Sequence, residues 1–529
     1  MTSPAAERQP RLLFLLFGGA SLLAAAFICT APWTIGRITV ARLTPALIPL
    51  YLTLVTALMI PRWRRYLARL PASCHRKPIA LATLFVGSSA FALRVVASQF
   101  RSLSVNGWDF SSFDLPIQRS LVSTFLDSPI DHRSFLGTHA SYILTLFIPL
   151  HALHQTPAWL LVTEALAISA ATAASWLLFR DLLHDDTAAM LLSLAYLLNT
   201  YTAKTLQYVF HVEVLYPPLL FLLARFLRRR QPMLIAAVTL LLLSVKEDAV
   251  IPLLGISIAL FLLRPREWRT PALLVSGGIV VYLLSTRIVM PRAAGVPAGH
   301  PWYATYWAAY GPTPLLAARG MFLHPLQVFH ALWSSGIRDL LEPLLFLPLL
   351  GGLWLLAAIP ALTVYGTASN PGISHFAIYY SAPLLPLLFL AAAVGARRLA
   401  RRLRRPGLTR LDWQRLIAFA VLGASALDGA SYVFRRPNPR RLDVATMVAL
   451  RGPGRLRVQG SLLPHSGYKL TTLPLDTLTS NDAVLLDDSS DPYPFTREQI
   501  RSFSAALEKR GYHRAFSRHG LVLLVPSRE

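Results

Sequence analysis

The feature that most restricts the fold of this chain is a succession of apolar runs at 12–31, 45–61, 78–97, 141–156, 158–179, 187–203, 211–227, 232–246, 249–263, 271–290, 326–350, 352–365, 376–396 and 411–433. A membrane-crossing helix needs about 20 apolar residues to traverse about 30 Å of hydrocarbon. Runs such as 232–246 and 249–263 barely reach that far, so short or re-entrant helices are expected among the spans. With 54% apolar and 15% charged residues over 529 positions, a soluble globule is excluded. The expected fold is an all-α polytopic membrane bundle of about 11–13 transmembrane or re-entrant helices.

The formal charge of +25 has to be read by position. The cations fall in blocks beside apolar runs: Arg62, Arg64 and Arg65; Arg225 with Arg228–Arg230; Arg264 and Arg266; and Arg397 and Arg398 through Arg405. Such blocks mark the cytoplasmic side, with anionic lipid head groups as neighbours. No aromatic-basic interleaving accompanies them, so nucleic acid is not an expected partner. The expected location is the cell (cytoplasmic) membrane, spanned many times.

Placing those blocks inside puts 34–44, 98–140, 204–212, Lys246–Asp248, 291–325 and 366–376 on the opposite face. Parity fails once, between 140 and 211, so one run, with 141–156 the first candidate, is half-length or re-entrant. Gly351 and Gly352 are expected to form a tight turn between a descending and an ascending helix, which keeps His375 on the outer side. The N-terminal run after Arg8 and Arg11 lacks a convincing cleavage site and reads as a retained span. The two cysteines, Cys29 and Cys74, supply neither a disulfide framework nor a thiolate metal site.

Composition changes near 434. The expected division is a transmembrane helical domain at 1–434, with large outer loops at 98–140 and 291–325, and a small extracytoplasmic α/β domain at 435–529. Linker chemistry at Arg436–Pro439 precedes strand-like runs at Ala483–Leu486 and Leu521–Val525, which flank a helix-like stretch Arg497–Arg510 ending at Gly511.

The polar segment Asn106–Gln118 carries Asp109 and Asp114 between membrane-grade sequences. Phe110, Phe113, Ile117, Leu121 and Phe125 recur at helical spacing, which predicts an interfacial amphipathic helix with Asp114 and Gln118 sharing its other face. A plain alternative is that Asp114 caps this helix, with Pro116 in the first turn. Further candidates on the same face are His139, His211 with Glu213, the triplet Lys246, Glu247 and Asp248, and His375 with Tyr379 and Tyr380. Ionisable groups at membrane depth cost several kcal/mol each if unpaired, so they are kept for a task or for mutual pairing. His211 and Glu213, two residues apart, cannot share a helical face, so a metal site built from this pair alone is not expected. A phosphate-cradling loop, a dinucleotide fingerprint and a His-Glu-x-x-His helix are all missing from the sequence.

The order of these motifs carries a resemblance: Phe113–Gln118, Gly137–His139, Tyr196–Leu198 near Phe210 and His211, Lys246–Asp248, then His375 with Tyr379. The chain resembles the family of predicted polytopic membrane proteins known as domain of unknown function 2079, which looks related to the GT-C glycosyltransferases. The resemblance extends into the tail at Ser461–His465 and Asp482–Asp487. It implies a GT-C-like bundle of about a dozen helices, a first outer loop carrying an acid, and a polyprenyl-phosphate-linked sugar as donor. Asp114 matches the loop acid that acts as base or orients the acceptor. The adjacent acid pair of protein-mannosylating relatives is missing, since Asp109 and Asp114 stand five apart. On this reading Asp114 or Asp109 is catalytic. Gln118, His139, His211, Glu213, Lys246, Glu247, His375 and Tyr379 then bind substrate, with a divalent cation as a possible cofactor. The acceptor would be an envelope component or a lipid. Competing readings are a transporter or flippase of a lipid-linked precursor and a non-catalytic envelope assembly protein.

Overall fold

The computed structural model describes residues 77–103, 107–122, 125–128, 130–131, 133–296, 302–403, 408–433, 456–466, 482–488 and 495–527, together with short pairings at 34–35, 38–39 and 471–472. The runs at 12–31 and 45–61, both cysteines, the Arg62–Arg65 block, Arg404, Arg405 and the linker at 436–439 lie outside the described residues.

Three described helices are long and apolar enough to cross a membrane: α1 (Lys77–Arg101), α4 (Ala158–Leu183) and α10 (Arg269–Ala294). Between α1 and α4 lie the short helices α2 (Gly107–Arg119) and α3 (Ile148–Leu153). The bundle continues with α5 (Asp186–Leu197), α6 (Thr200–Tyr208), α7 (Tyr216–Arg229), α8 (Pro232–Val245) and α9 (Val250–Leu263). After α10 come α11 (Pro314–Leu323), α12 (Pro325–Ser334) and α13 (Ile337–Leu344), then α14 (Ile359–Gly366), α15 (Leu385–Arg402) and α16 (Arg410–Val433). Breaks between helices follow local chemistry. Asp185 accepts the Ala188 N–H to start α5 and is itself held by Arg415 of α16 at 2.8 Å. Asn199 accepts the Tyr201 N–H to start α6.

A cluster of cations gathers at one end of the bundle. Arg225 and Arg229 of α7 reach Asp181 near the end of α4, and Arg264 after α9 donates to the Leu227 carbonyl. At the other end the polar breaks meet one another, as in the pairing of His139 with Glu247 and of Lys246 with Glu213. The apolar stretch Tyr142–Leu153 is among the helices too short to cross. It is tied to α2 through His151 and Asp114, and the Trp159 indole at the start of α4 donates to the His154 carbonyl. It therefore stays at the end where α2 lies, which accounts for the broken parity.

The expected single run 326–350 is instead three pieces: α12, α13 and a 3-10 segment Leu347–Ala357. The last two are bent by 119°, with Leu345 and Phe346 in the left-handed region at the bend. The segment breaks again at Gly352 (φ 63°, ψ −134°), a conformation that favours glycine. Glycines also permit the close approach of helices here. A Cβ on Gly395 would sit 2.2 Å from the Leu347 carbonyl oxygen, and one on Gly255 would sit 2.0 Å from that of Ala357.

The tail forms a five-stranded mixed sheet in the order β6-β5-β7-β9-β8, where β5 is Leu456–Val458, β6 Thr471–Thr472, β7 Ala483–Asp487, β8 Tyr512–Arg518 and β9 Leu521–Pro526. The pairs Thr34–Ile35/Ile38–Thr39 (β1, β2) and Asp127–Ser128/Arg133–Ser134 (β3, β4) are separate two-stranded ladders. β5 runs parallel to β6 and β7, while β9 is antiparallel to β7 and β8. Helix α17 (Arg497–Lys509) starts at a Thr496–Gln499 capping box and is followed by Gly511 at φ 87°.

This sheet docks on α2. Leu103, Leu115 and Ile130 share one apolar cluster with Leu456, Val458 and Leu523, and the Trp108 ring lies over Gly460. Phe110, Phe113 and Ile117 turn the other way into the bundle core. The expectation of a surface-lying amphipathic helix is thus corrected: α2 is covered on both sides. It ends at Arg119, so Leu121 and Phe125 lie beyond it, and Phe125 is exposed. Nor does Asp114 cap it, since the helix begins at Gly107 and Pro116 sits well inside.

Replacing Gly395 by alanine should lower the melting temperature of the purified protein by several degrees, because overpacking against backbone costs about 1–3 kcal/mol. Gly277→Ala, whose Cβ meets open space, should leave it unchanged or slightly raised when both are followed by fluorescence-detected gel filtration.

Candidate functional site

Helix α8 ends because Lys246 turns extended (φ −164°, ψ 159°), and the chain restarts as a single turn at Glu247–Ala249. That geometry sends three consecutive ionisable side chains to three different places. Lys246 Nζ donates to Glu213 Oε1 at 2.7 Å. Glu247 Oε1 meets His139 Nδ1 at 2.9 Å while its Oε2 accepts the Ala140 N–H at 2.9 Å. Asp248 accepts hydroxyls from Tyr216 and from Tyr365, the latter at 3.1 Å. One short break between apolar helices thereby fastens four other segments of the chain.

The pairing extends outward from Glu213, whose second oxygen meets His211 Nδ1. The His211 ring stacks on Tyr379 at 3.5 Å between centroids and takes the edge of Phe113 at 4.6 Å. Tyr379 in turn bonds the Tyr380 hydroxyl at 3.2 Å. These breaks lie outside the spanning helices. Burial by itself would raise the Glu213 carboxyl, yet the charges of His211 and Lys246 hold it below the usual carboxylate range. Burial pushes Glu247 upward too, but the charge and hydrogen bond of His139 bring it down to about 2.

The two acids of α2 occupy different settings. Asp114 is fully buried, with Oδ1 at 2.9 Å from His151 Nε2 and Oδ2 accepting from Gln118 Nε2 at 2.8 Å. His151 is equally buried, and its Nδ1 faces the Phe147 carbonyl at 3.1 Å, so that nitrogen carries a proton. One further proton must then lie between Asp114 and His151. Burial raises the Asp114 carboxyl against the lowering effect of His151. Asp109 is only half-buried and accepts a hydrogen bond from the Tyr208 hydroxyl. The Tyr208 ring lies 5.3 Å from that of Tyr379, which links Asp109 to His211 and Glu213.

The structure therefore brings Asp109, His139, His211, Glu213, Lys246, Glu247 and Tyr379 to one end of the bundle, with Asp114 and Gln118 on the buried side of α2. His375 is exposed and its Nδ1 meets the Pro371 carbonyl and Ser374, among the described residues. Sequence reading passed over His151, Tyr208, Tyr216, Tyr365 and Tyr303, whose ring stacks on His139. An ionisable residue inside the apolar run 141–156 was the available signal for His151. The tyrosines gave none, because a tyrosine beside an apolar run is equally at home at a membrane boundary. Among the described residues no three His, Cys, Asp or Glu side chains gather as a metal site.

The family described as predicted membrane protein (DUF2079) matches residues 99–438. No curated protein matches the chain. Among solved structures, the chain is similar to ArnT from Cupriavidus metallidurans in the apo state, at 14% identity and a TM-score of 0.47, over 86% of this chain and 100% of that one. It is also similar to the same protein bound to undecaprenyl phosphate, at 12% identity and a TM-score of 0.47, over 85% and 100%.

Removing one member of the buried Lys246–Glu213 pair strands the other charge. Lys246→Met and Glu213→Gln should each cost about 3–5 kcal/mol, while the double variant should fall well short of the sum. Thermal unfolding of the four proteins measures this, and strictly additive losses would deny the pairing.

Proposed function

We propose, from the premise that this chain belongs to the DUF2079 family of predicted membrane proteins, that it is a multi-pass membrane glycosyltransferase acting on a polyprenyl-phosphate-linked sugar. The acceptor is an envelope component or a lipid at the outer face of the cytoplasmic membrane. The basic ends of the helices face the cytoplasm on this reading, and the site and the C-terminal sheet face outward. The observation that carries it is the meeting of a half-buried acid, a buried lysine and two histidines at the end of the bundle opposite the arginine cluster of α4, α7 and Arg264. The resemblance of the motif order to GT-C enzymes supports the donor class.

Asp109 is the better base. It is half-buried and so within reach of an acceptor, whereas Asp114 is fully buried with both oxygens engaged in the protein interior. Asp109 takes the proton of the acceptor hydroxyl as that oxygen bonds the anomeric carbon. The bond from that carbon to the phosphate oxygen breaks with its electron pair, releasing the polyprenyl phosphate. Lys246, His139 and His211 supply the positive field that favours the departing anion. Tyr208, Tyr379 and Tyr380 offer aromatic faces to a sugar. Asp114, through His151 and Gln118, holds α2 so that Asp109 keeps its position.

A transporter reading is favoured by one observation: Glu164 of α4 is fully buried and neither of its oxygens has a hydrogen-bond partner among the described residues. The two readings part at Asp109. In membranes supplied with labelled polyprenyl-phosphate sugars, Asp109→Asn should cut transfer by about 10²–10⁴-fold with the protein still folded. Undiminished transfer by that variant would remove Asp109 as base, and a wild-type protein that moves the donor without cleaving it would favour transport.

A further inference from the structure

The end of the bundle opposite the candidate site holds a cleft of about 640 Å³ where the ends of α4, α7 and α9 meet the starts of α1 and α5. Six cations line it, Lys77, Arg180, Arg228, Arg229, Arg230 and Arg264, against two carboxylates, Asp181 and Asp186. Arginines at helix C-termini are often there to offset the helix dipole and pair with acids, and part of this set does so. Arg225 and Arg229 hold Asp181, Arg180 holds Asp186, and Arg230 and Arg264 share Glu267. Both lining acids are therefore already satisfied.

What remains is an excess that the described residues do not neutralise. Arg228 donates to the Asp181 carbonyl at 2.7 Å, and neither it nor Lys77 pairs with a carboxylate among the described residues. A second observation points the same way from outside the cleft. The Arg397 guanidinium of α15 is held below its usual value first by burial and then by the charges of Arg401, Arg410 and Arg228. His184, which lines the cleft, faces Arg397, Arg228 and Arg410. After burial, their charges are what hold its imidazole below the usual value, against Asp181. Like charges crowded at the boundary of an apolar bundle repel one another unless a counter-anion sits between them.

We infer that this cleft binds a phosphate group of net negative charge, with the cations of α1, α4 and α7 and Arg264 after α9 around its oxygens. Planar guanidinium groups suit phosphate oxygens, and the cleft lies at the polar ends of the helices, where lipid head groups run. The chemistry is common to an anionic phospholipid head group and to a soluble phosphate compound. The cleft is separated from the candidate transfer site by the length of the bundle, so this inference stands or falls independently of the proposed activity.

The test uses the full chain, purified in neutral detergent. Phosphatidylglycerol, phosphatidylcholine and inorganic pyrophosphate are titrated separately, with native mass spectrometry and the shift in unfolding temperature as readouts. Wild type should retain phosphatidylglycerol or pyrophosphate well above phosphatidylcholine. Lys77→Gln combined with Arg228→Gln should weaken that binding at least about tenfold, since each cation near the head-group plane contributes about a factor of five. Arg228→Lys should retain most of it, and Arg319→Gln, exposed at the other end, all of it. Retention of the phospholipid alone assigns the lipid source; retention of pyrophosphate assigns the soluble one. Equal binding of phosphatidylcholine, or a double variant indistinguishable from wild type, overturns the inference.

Discussion

The interaction on which the rest depends is the ion pair between Lys246 and Glu213, closed inside the bundle with His211 on the far oxygen. Two charges withdrawn from water lose several kcal/mol of hydration each, and their attraction recovers this only when geometry is good and remaining oxygens are bonded. Here each condition is met by a different part of the chain. Lys246 comes from the break after α8, Glu213 from the turn before α7, and the stacking partner of His211 from the segment before α15. Because Glu247 and Asp248 follow immediately, the same break also fastens the 139–140 segment, α7 and α14. An apolar replacement of similar volume could stabilise a helix bundle as well, so stability alone does not account for this cluster of charges.

Helix α2 couples that network to the C-terminal sheet. Its Phe113 face meets the His211 ring, and its Trp108 and Leu115 face belongs to the apolar cluster of β5, β7 and β9. Asp109 stands at the seam, in the first turn of the helix, with its carboxylate toward Tyr208. The sheet thus acts as a cover that fixes the height and rotation of the helix bearing the half-buried acid. The Phe100 ring at the end of α1 lies tilted at 4.3 Å from that of His465, in the short helical turn after β5, which ties the tail to the first described span.

Periodicity and punctuation made much of this visible in advance. The capping residue Thr496, the glycine after α17 and the continuous apolar runs of β7 and β9 lie where local chemistry puts them, because the tail obeys local propensities. The break at Gly352 and the short run 142–153 were legible from glycine and from length. The triplet 246–248 stood out because charges between apolar runs are costly. What one sequence could not convey is partner choice. Asp114 reads the same whether it faces an acceptor or the buried His151, and the tyrosines that complete the site carry no distinguishing spacing. The apolar stripe of α2 likewise predicts a buried face without saying that a sheet from 340 residues downstream covers the opposite one.

A hydrophobic carbodiimide partitions into the bilayer, activates a buried carboxylate and leaves a zero-length amide wherever an amine lies against it. Applied to the full chain in its membrane and read by peptide mass spectrometry, it should join Lys246 to Glu213, as their 2.7 Å contact requires. Glu213 recovered only as the rearranged reagent adduct, with Lys246 unlinked, would mean that the reagent reached the carboxylate and found no lysine beside it, and the convergence described above would be wrong.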